Sequence, residues 1–165
     1  MDFGPGDPAD QEIDRYAGYG QSFESGWGWT VGFARYTCTG APTSYDSTEW
    51  TARLTPPTST ELAIWVADDD VLGGDAWRAR IKHSLGLPSD FSLDIESTRT
   101  QYDNADFEDY NHDQIGVSRS FGRIGAYLGY AATSLAADAR MAGSVDSLAD
   151  GRVLLTLSST VTWFE

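Results

Sequence analysis

Nine short stretches of this chain alternate apolar with polar residues, and the connections between them alternate short with long. A repeat of two puts successive side chains on opposite faces of a strand. Nine such segments in succession leave two main outcomes, a soluble β-sandwich or a membrane β-barrel. The clearest pair is Arg78-Ala79-Arg80-Ile81-Lys82, a turn at Gly86-Leu87-Pro88-Ser89, then Phe91-Ser92-Leu93-Asp94-Ile95-Glu96. One face reads Trp77, Ala79, Ile81, Leu93 and Ile95; the other reads Arg78, Arg80, Lys82, Asp94 and Glu96. Pairing across that turn is expected to set Lys82 opposite Asp94 and Arg80 opposite Glu96, a favourable arrangement of charges.

The remaining strands follow the same rule. A first strand near 12–23 sets Ile13, Ala17 and Tyr19 against Asp14, Tyr16, Gly18 and Gly20. A second carries Trp27, Trp29, Val31 and Phe33 on one face. The third carries Trp50, Ala52 and Leu54, the fourth Leu62, Ile64 and Val66. The seventh carries Ile115, Val117 and Phe121, and the eighth Ile124, Ala126, Leu128 and Tyr130. A ninth carries Val153, Leu155, Leu157, Val161 and Trp163. Across the hairpins, Leu54 should meet Leu62, Phe121 should meet Ile124, and Val117 should meet Leu128, apolar on apolar.

Turns at 24–26, 56–59, 86–90 and 122–123 are short, whereas loops at 39–46, 68–75, 103–109 and 134–150 are longer, three of them acidic. Successive connections of a meander lie at opposite ends, so all the short turns share one end and all the long loops the other. A soluble sandwich has no reason to sort its connections so; outer-membrane barrels do. Phe23, Trp27 and Phe121 then form one interfacial girdle near the short turns, with Tyr130, Trp50 and Trp77 nearer the loops. Arg15, Arg35, Arg99 and Arg119 fall on the apolar parity. A cation costs about 2–4 kcal/mol at the bilayer midplane and much less near the interface. The first three lie toward loop-side strand ends and Arg119 lies by a short turn, where each can snorkel.

Composition narrows the reading further. A length of 165 residues suits one domain, 1–165, with 1–11 as a leading loop. The net charge of −14 argues against nucleic acid or an anionic membrane surface as an electrostatic partner. The single cysteine, Cys38, excludes an internal disulfide and a cysteine-rich zinc site. No apolar run of about 18 residues exists to make a transmembrane helix. The opening Met1-Asp2-Phe3-Gly4-Pro5-Gly6 shows no signal peptide, so one has been removed or the true start lies upstream.

Asp2-Phe3-Gly4, Gly6-Asp7-Pro8, and Glu12-Ile13-Asp14 with Tyr16-Ala17-Gly18-Tyr19 form an ordered series with later segments. These are Tyr36-Thr37 with Gly40, Tyr45-Asp46 to Thr48-Glu49-Trp50, Gly74-Asp75-Ala76-Trp77, and Phe91-Ser92-Leu93-Asp94. Gly116-Val117-Ser118 with Ser120-Phe121-Gly122, and Ala149-Asp150-Gly151-Arg152-Val153, complete it. In order and spacing, across nearly the whole chain, the series resembles the TorF family of Gram-negative outer-membrane porins. The resemblance implies a β-barrel and a pore without a known substrate. Such porins begin with a signal peptide and roughly three strands before the Asp-Phe-Gly segment, which implies an N-terminally incomplete chain here. Three more strands would give about twelve, an even count. Such barrels commonly end on an aromatic, whereas Phe164 stands one residue from this terminus.

The expected fold is therefore an all-β, antiparallel, up-and-down transmembrane barrel, with about nine strands in this chain. The expected activity is passive passage of small polar solutes or ions through an outer membrane. Alternatives are a soluble acidic β-sandwich or barrel used as a binding module, and a non-conducting structural barrel. The candidate pore-lumen charges are Arg78, Arg80, Lys82, Asp94 and Glu96, since rings of charge set ion preference; otherwise they merely solvate the lumen face. Asp68-Asp69-Asp70 and Asp103, Asp106, Glu108 and Asp109 could ligate Ca²⁺, but no Asp-x-Asp-x-Asp-Gly loop appears. Ser84 adjoins His83 and so faces the other way, which disfavours a Ser–His nucleophile. No enzyme activity, cofactor or metal is expected. The expected partners are the lipid bilayer and small solutes or ions.

Overall fold

Aromatic and β-branched residues at every second position suit a pleated sheet, and the computed structural model is a sheet of nine strands. It describes residues 11–39, 46–68, 74–135 and 151–159. The strands are β1 (Gln11–Ser22), β2 (Gly28–Thr39), β3 (Ser47–Thr55), β4 (Thr60–Asp68) and β5 (Ala76–Leu87), then β6 (Phe91–Tyr102), β7 (Tyr110–Phe121), β8 (Ile124–Thr133) and β9 (Arg152–Ser159). Each pairs antiparallel with the next, in sequence order, as one meander. β1 starts at Gln11, inside the segment expected to be loop. The expected strand residues Val161 and Trp163, the acids Asp69 and Asp70, most of the loops at 39–46 and 134–150, and Phe164 lie outside the described residues.

The hairpin registers follow the sequence at two of the three expected places. Leu54 meets Leu62, and Phe121 meets Ile124 and Val117 meets Leu128. The β5–β6 register differs from expectation. Lys82 lies opposite Glu96, Arg80 opposite Thr98, and Asp94 opposite Ser84. The cause is the turn, which occupies Pro88–Asp90, with Ser89 and Asp90 both at φ 61°. Centring the turn there keeps Leu87 in the sheet against Phe91 and sets Leu85 on Leu93. The expected register would have spent Leu87 on the turn and set His83 against Leu93. A shift of two residues leaves every side chain on its expected face.

Continuous registers make one grid of the two faces. One row of the apolar face reads Ala17, Phe33, Trp50, Val66 and Trp77 across β1 to β5. Phe33 and Trp50 stack there with ring centroids 4.8 Å apart. The next row toward the loops sets Arg15 directly beside Arg35, then Thr48 and Asp68. Arg35 is held by Asp46 at 3.1 Å and the Thr48 hydroxyl at 2.8 Å. Arg99 is held by Asp109, and Arg119 lies between Phe91 and Phe121, 4.8 Å from each ring centre. Arg99 and Arg119 thus sit toward strand ends, as expected, whereas Arg15 and Arg35 lie only in the loop-side halves of β1 and β2.

Burial is inverted relative to a soluble sheet. Along β4, Leu62, Ile64 and Val66 are exposed while Glu61, Ala63, Trp65 and Ala67 are sheltered or buried. β7 alternates likewise, with Ile115 and Val117 exposed and Gln114 and Gly116 sheltered. Ser47, Ala63, Ala67, Ala76, Thr100 and Ala131 are all buried, and all belong to the polar-parity face. A flat single layer would bare both faces equally, so the sheet curls with its polar face concave. The described residues form one sheet, not the two that a sandwich needs. No pairing joins β1 to β9 among the described residues, so the sheet is not closed.

Candidate functional site

The concave face carries the charges that the sequence singled out. β5 projects Arg78, Arg80 and Lys82 into it, and β6 projects Asp94 and Glu96. Four of the five, Arg78, Arg80, Asp94 and Glu96, are bonded or ion-paired to neighbouring side chains. The Arg80 guanidinium bonds Glu61 through Nη2, lies 3.8 Å from Glu96 through Nη1, and rests over the Trp65 ring at 4.9 Å. Its Nε has no hydrogen-bond partner among the described residues. So Arg80 and Glu96 do meet, diagonally rather than directly opposite. Arg78 pairs with Glu49 at 3.5 Å. Lys82 stands in register between Glu61 and Glu96. Asp94 accepts hydrogen bonds from Ser84 at 2.6 Å and Ser118 at 2.7 Å, so its expected pairing with Lys82 gives way to two hydroxyls.

Three members of this network were not among the sequence candidates. Glu49 and Arg53 on β3 and Glu61 on β4 share the polar parity, and Arg53 reaches Glu61 at 3.3 Å. Their parity was readable in the sequence. Their partnership with β5 was not, because it depends on the β4–β5 register that sets Glu61 beside Lys82 and Ala63 beside Arg80. Side chains in the network retain roughly a fifth to two fifths of their exposure. Such a lattice of charge-assisted bonds fixes the wall and offsets most of its basic charge.

Beyond β6 the concave face is smoother. The Tyr127 ring lies against Gly116 and Gly129, where a Cβ at either glycine would collide with it. Gln114 donates to the Tyr127 hydroxyl at 2.7 Å and holds the ring down. His112 also faces inward, whereas His83 lies on the apolar face and contacts the Thr60 hydroxyl at 2.9 Å. Ser84 donates to Asp94 rather than to a histidine.

At the loop end the acids do separate jobs. Asp109 accepts from the Gln101 amide at 2.8 Å, the Tyr102 N–H at 3.0 Å and Arg99 at 3.1 Å. Those bonds, Gln101 first, hold its carboxyl below the ordinary range. Asp106 donates its N–H to the Asn104 side chain, and Phe107 packs on Tyr102. No cluster of three or more metal-type ligands occurs among the described residues.

No family model, no curated protein and no solved structure matches this chain.

Proposed function

We propose that this chain forms the wall of an outer-membrane barrel of the porin type, which passes small polar solutes or ions without a chemical step. The observation that carries the reading is the inverted sheet. Ile64, Val66, Ile81, Leu128 and Leu155 stand 44%, 47%, 50%, 58% and 70% exposed on the convex face, while the ionic network is sheltered on the concave one. In water such a convex face is a large apolar patch that no other described residue covers. In hydrocarbon it is the surface that the surroundings require. The sorting of short turns and long loops to opposite ends, and the placing of Arg99 and Arg119 toward strand ends, support the same reading. The resemblance to TorF-type porins agrees with it and suggests an outer-membrane location.

Closure is part of the proposal. β1 and β9 are both odd members of a meander and run in the same direction, so direct closure would make a parallel seam. Antiparallel closure needs an odd number of further strands, since an open edge is not tolerated in hydrocarbon. In the barrel the wall would present Arg53, Arg78, Arg80 and Lys82 against Glu49, Glu61, Asp94 and Glu96. Four cations facing four acids give this wall little net charge, so the basic row alone does not set selectivity.

Refolding in detergent, followed by gel mobility with and without boiling, tests the reading. A faster unboiled band, followed by single-channel conductance, is the expected result. An unshifted band from protein soluble in plain buffer would instead mean a soluble binding module. A shifted band without conductance would mean a structural barrel.

A further inference from the structure

The concave face has a second feature apart from the ionic network. A depression of about 380 Å³ opens across β5 to β9 near the loop end. Its titratable lining residues are Arg78, His112, Arg152 and Tyr110. No carboxylate lines it among the described residues, although acids outnumber Lys and Arg by 25 to 11 in this chain. Thr100, buried at 1% exposure, lies in its lining. Ala131 and Leu154 supply an apolar side. The volume falls in the range of small-molecule sites, and one apolar wall with a few convergent polar groups is how such sites are built.

We infer that this depression is a binding site for a small organic carboxylate, its charged end toward Arg78, His112 and Arg152 and its hydrocarbon against Ala131 and Leu154. Two guanidiniums suit a carboxylate because each offers planar, paired N–H donors. Arg78 already bonds Glu49, which steadies it and takes part of its charge. Arg152 makes no ion pair among the described residues and is exposed, so it contributes the less compensated cation. Curvature is what makes the site: Arg78 and Arg152 stand four strands apart in the sheet order yet line one hollow. The net charge of −14 opposes anions at long range. Within a Debye length of about 8–10 Å the local cations dominate. The inference rests on the concave face alone and stands whether or not the sheet spans a membrane.

Calorimetric titration of the refolded full chain with benzoate, benzamide and inorganic phosphate tests it. Benzoate is expected to bind saturably, with benzamide at least about tenfold weaker because it lacks the charge, and phosphate weaker because it lacks the hydrocarbon. Arg152→Gln is expected to weaken benzoate about tenfold, the effect of one charge-assisted bond at about 1.4 kcal/mol. Arg152→Lys should recover part of the loss. Arg123→Gln, a charge change at the opposite end of the sheet, is expected to leave affinity unchanged. Equal binding of benzamide, an unaltered Arg152→Gln variant, or an equal loss in Arg123→Gln would each overturn the site. Benzoate binding by a chain that neither shifts on a gel nor conducts would retain the site and remove only the porin reading.

Discussion

Glu61 is the carboxylate on which Arg53 and Arg80 converge, and the consequence is measurable. Glu61→Gln leaves both guanidiniums without their shared acid. Because these side chains remain partly solvated, the loss is about 1–3 kcal/mol rather than the full cost of a dry pair. A lowered urea midpoint in detergent checks it. In a conducting barrel the same variant adds one uncompensated positive charge to the wall, so the reversal potential should shift toward anion preference. Asp109 has a different signature. Its folded carboxyl titrates below the unfolded value, so the stabilisation is complete above about pH 4 and is lost as pH falls through the folded value. Amide protection in residues 103–109, measured against the intrinsic exchange rate at each pH, should therefore fall on acidification. In Asp109→Asn that protection should be low already and nearly independent of pH. An unchanged acid dependence in that variant would place the titrating group elsewhere.

At the scale of elements, hairpin geometry and the Tyr127 platform hold the strands in register. Gly122 opens the two-residue turn between β7 and β8 at φ 64°, where a Cβ costs about 1–2 kcal/mol. Gly122→Ala should lower the unfolding free energy by that much and leave the spectrum of the folded state unchanged. Gly129→Ala acts through contact instead, since the new methyl meets the Tyr127 ring. We expect a loss of about 1–3 kcal/mol. Most of that loss should vanish when the substitution is made in a Tyr127→Ala background, in a double-mutant cycle. Additive effects would refute the contact. The β5–β6 hairpin shows the limit of local reading. Charge complementarity favoured Lys82 against Asp94, but two leucine-containing pairs by the turn outweighed it, Leu87 on Phe91 and Leu85 on Leu93. The charges then found partners on the diagonal and on β4.

Across the whole molecule, the meander has two outer strands and a centre. Among the described residues β1 and β9 each have one bonded neighbour, and β2 to β8 have two. Amide exchange in the isolated chain should be fastest in β1 and β9 and slowest in β4 to β7, since edge amides lack a second partner. Protection of β1 and β9 equal to the centre would mean that further strands or a second copy had closed the seam. Much of this architecture was legible beforehand. Nine strands, their faces and the sorting of connections all follow from a repeat of two and the positions of Gly, Pro and Asp, which are properties of neighbouring residues. What tertiary structure alone decided is how distant strands add up. The convergence of Arg53 and Arg80 on Glu61, and the meeting of Arg78, His112 and Arg152 around one hollow, depend on curvature and register. Both accumulate from strand to strand, and no single strand's sequence contains their sum.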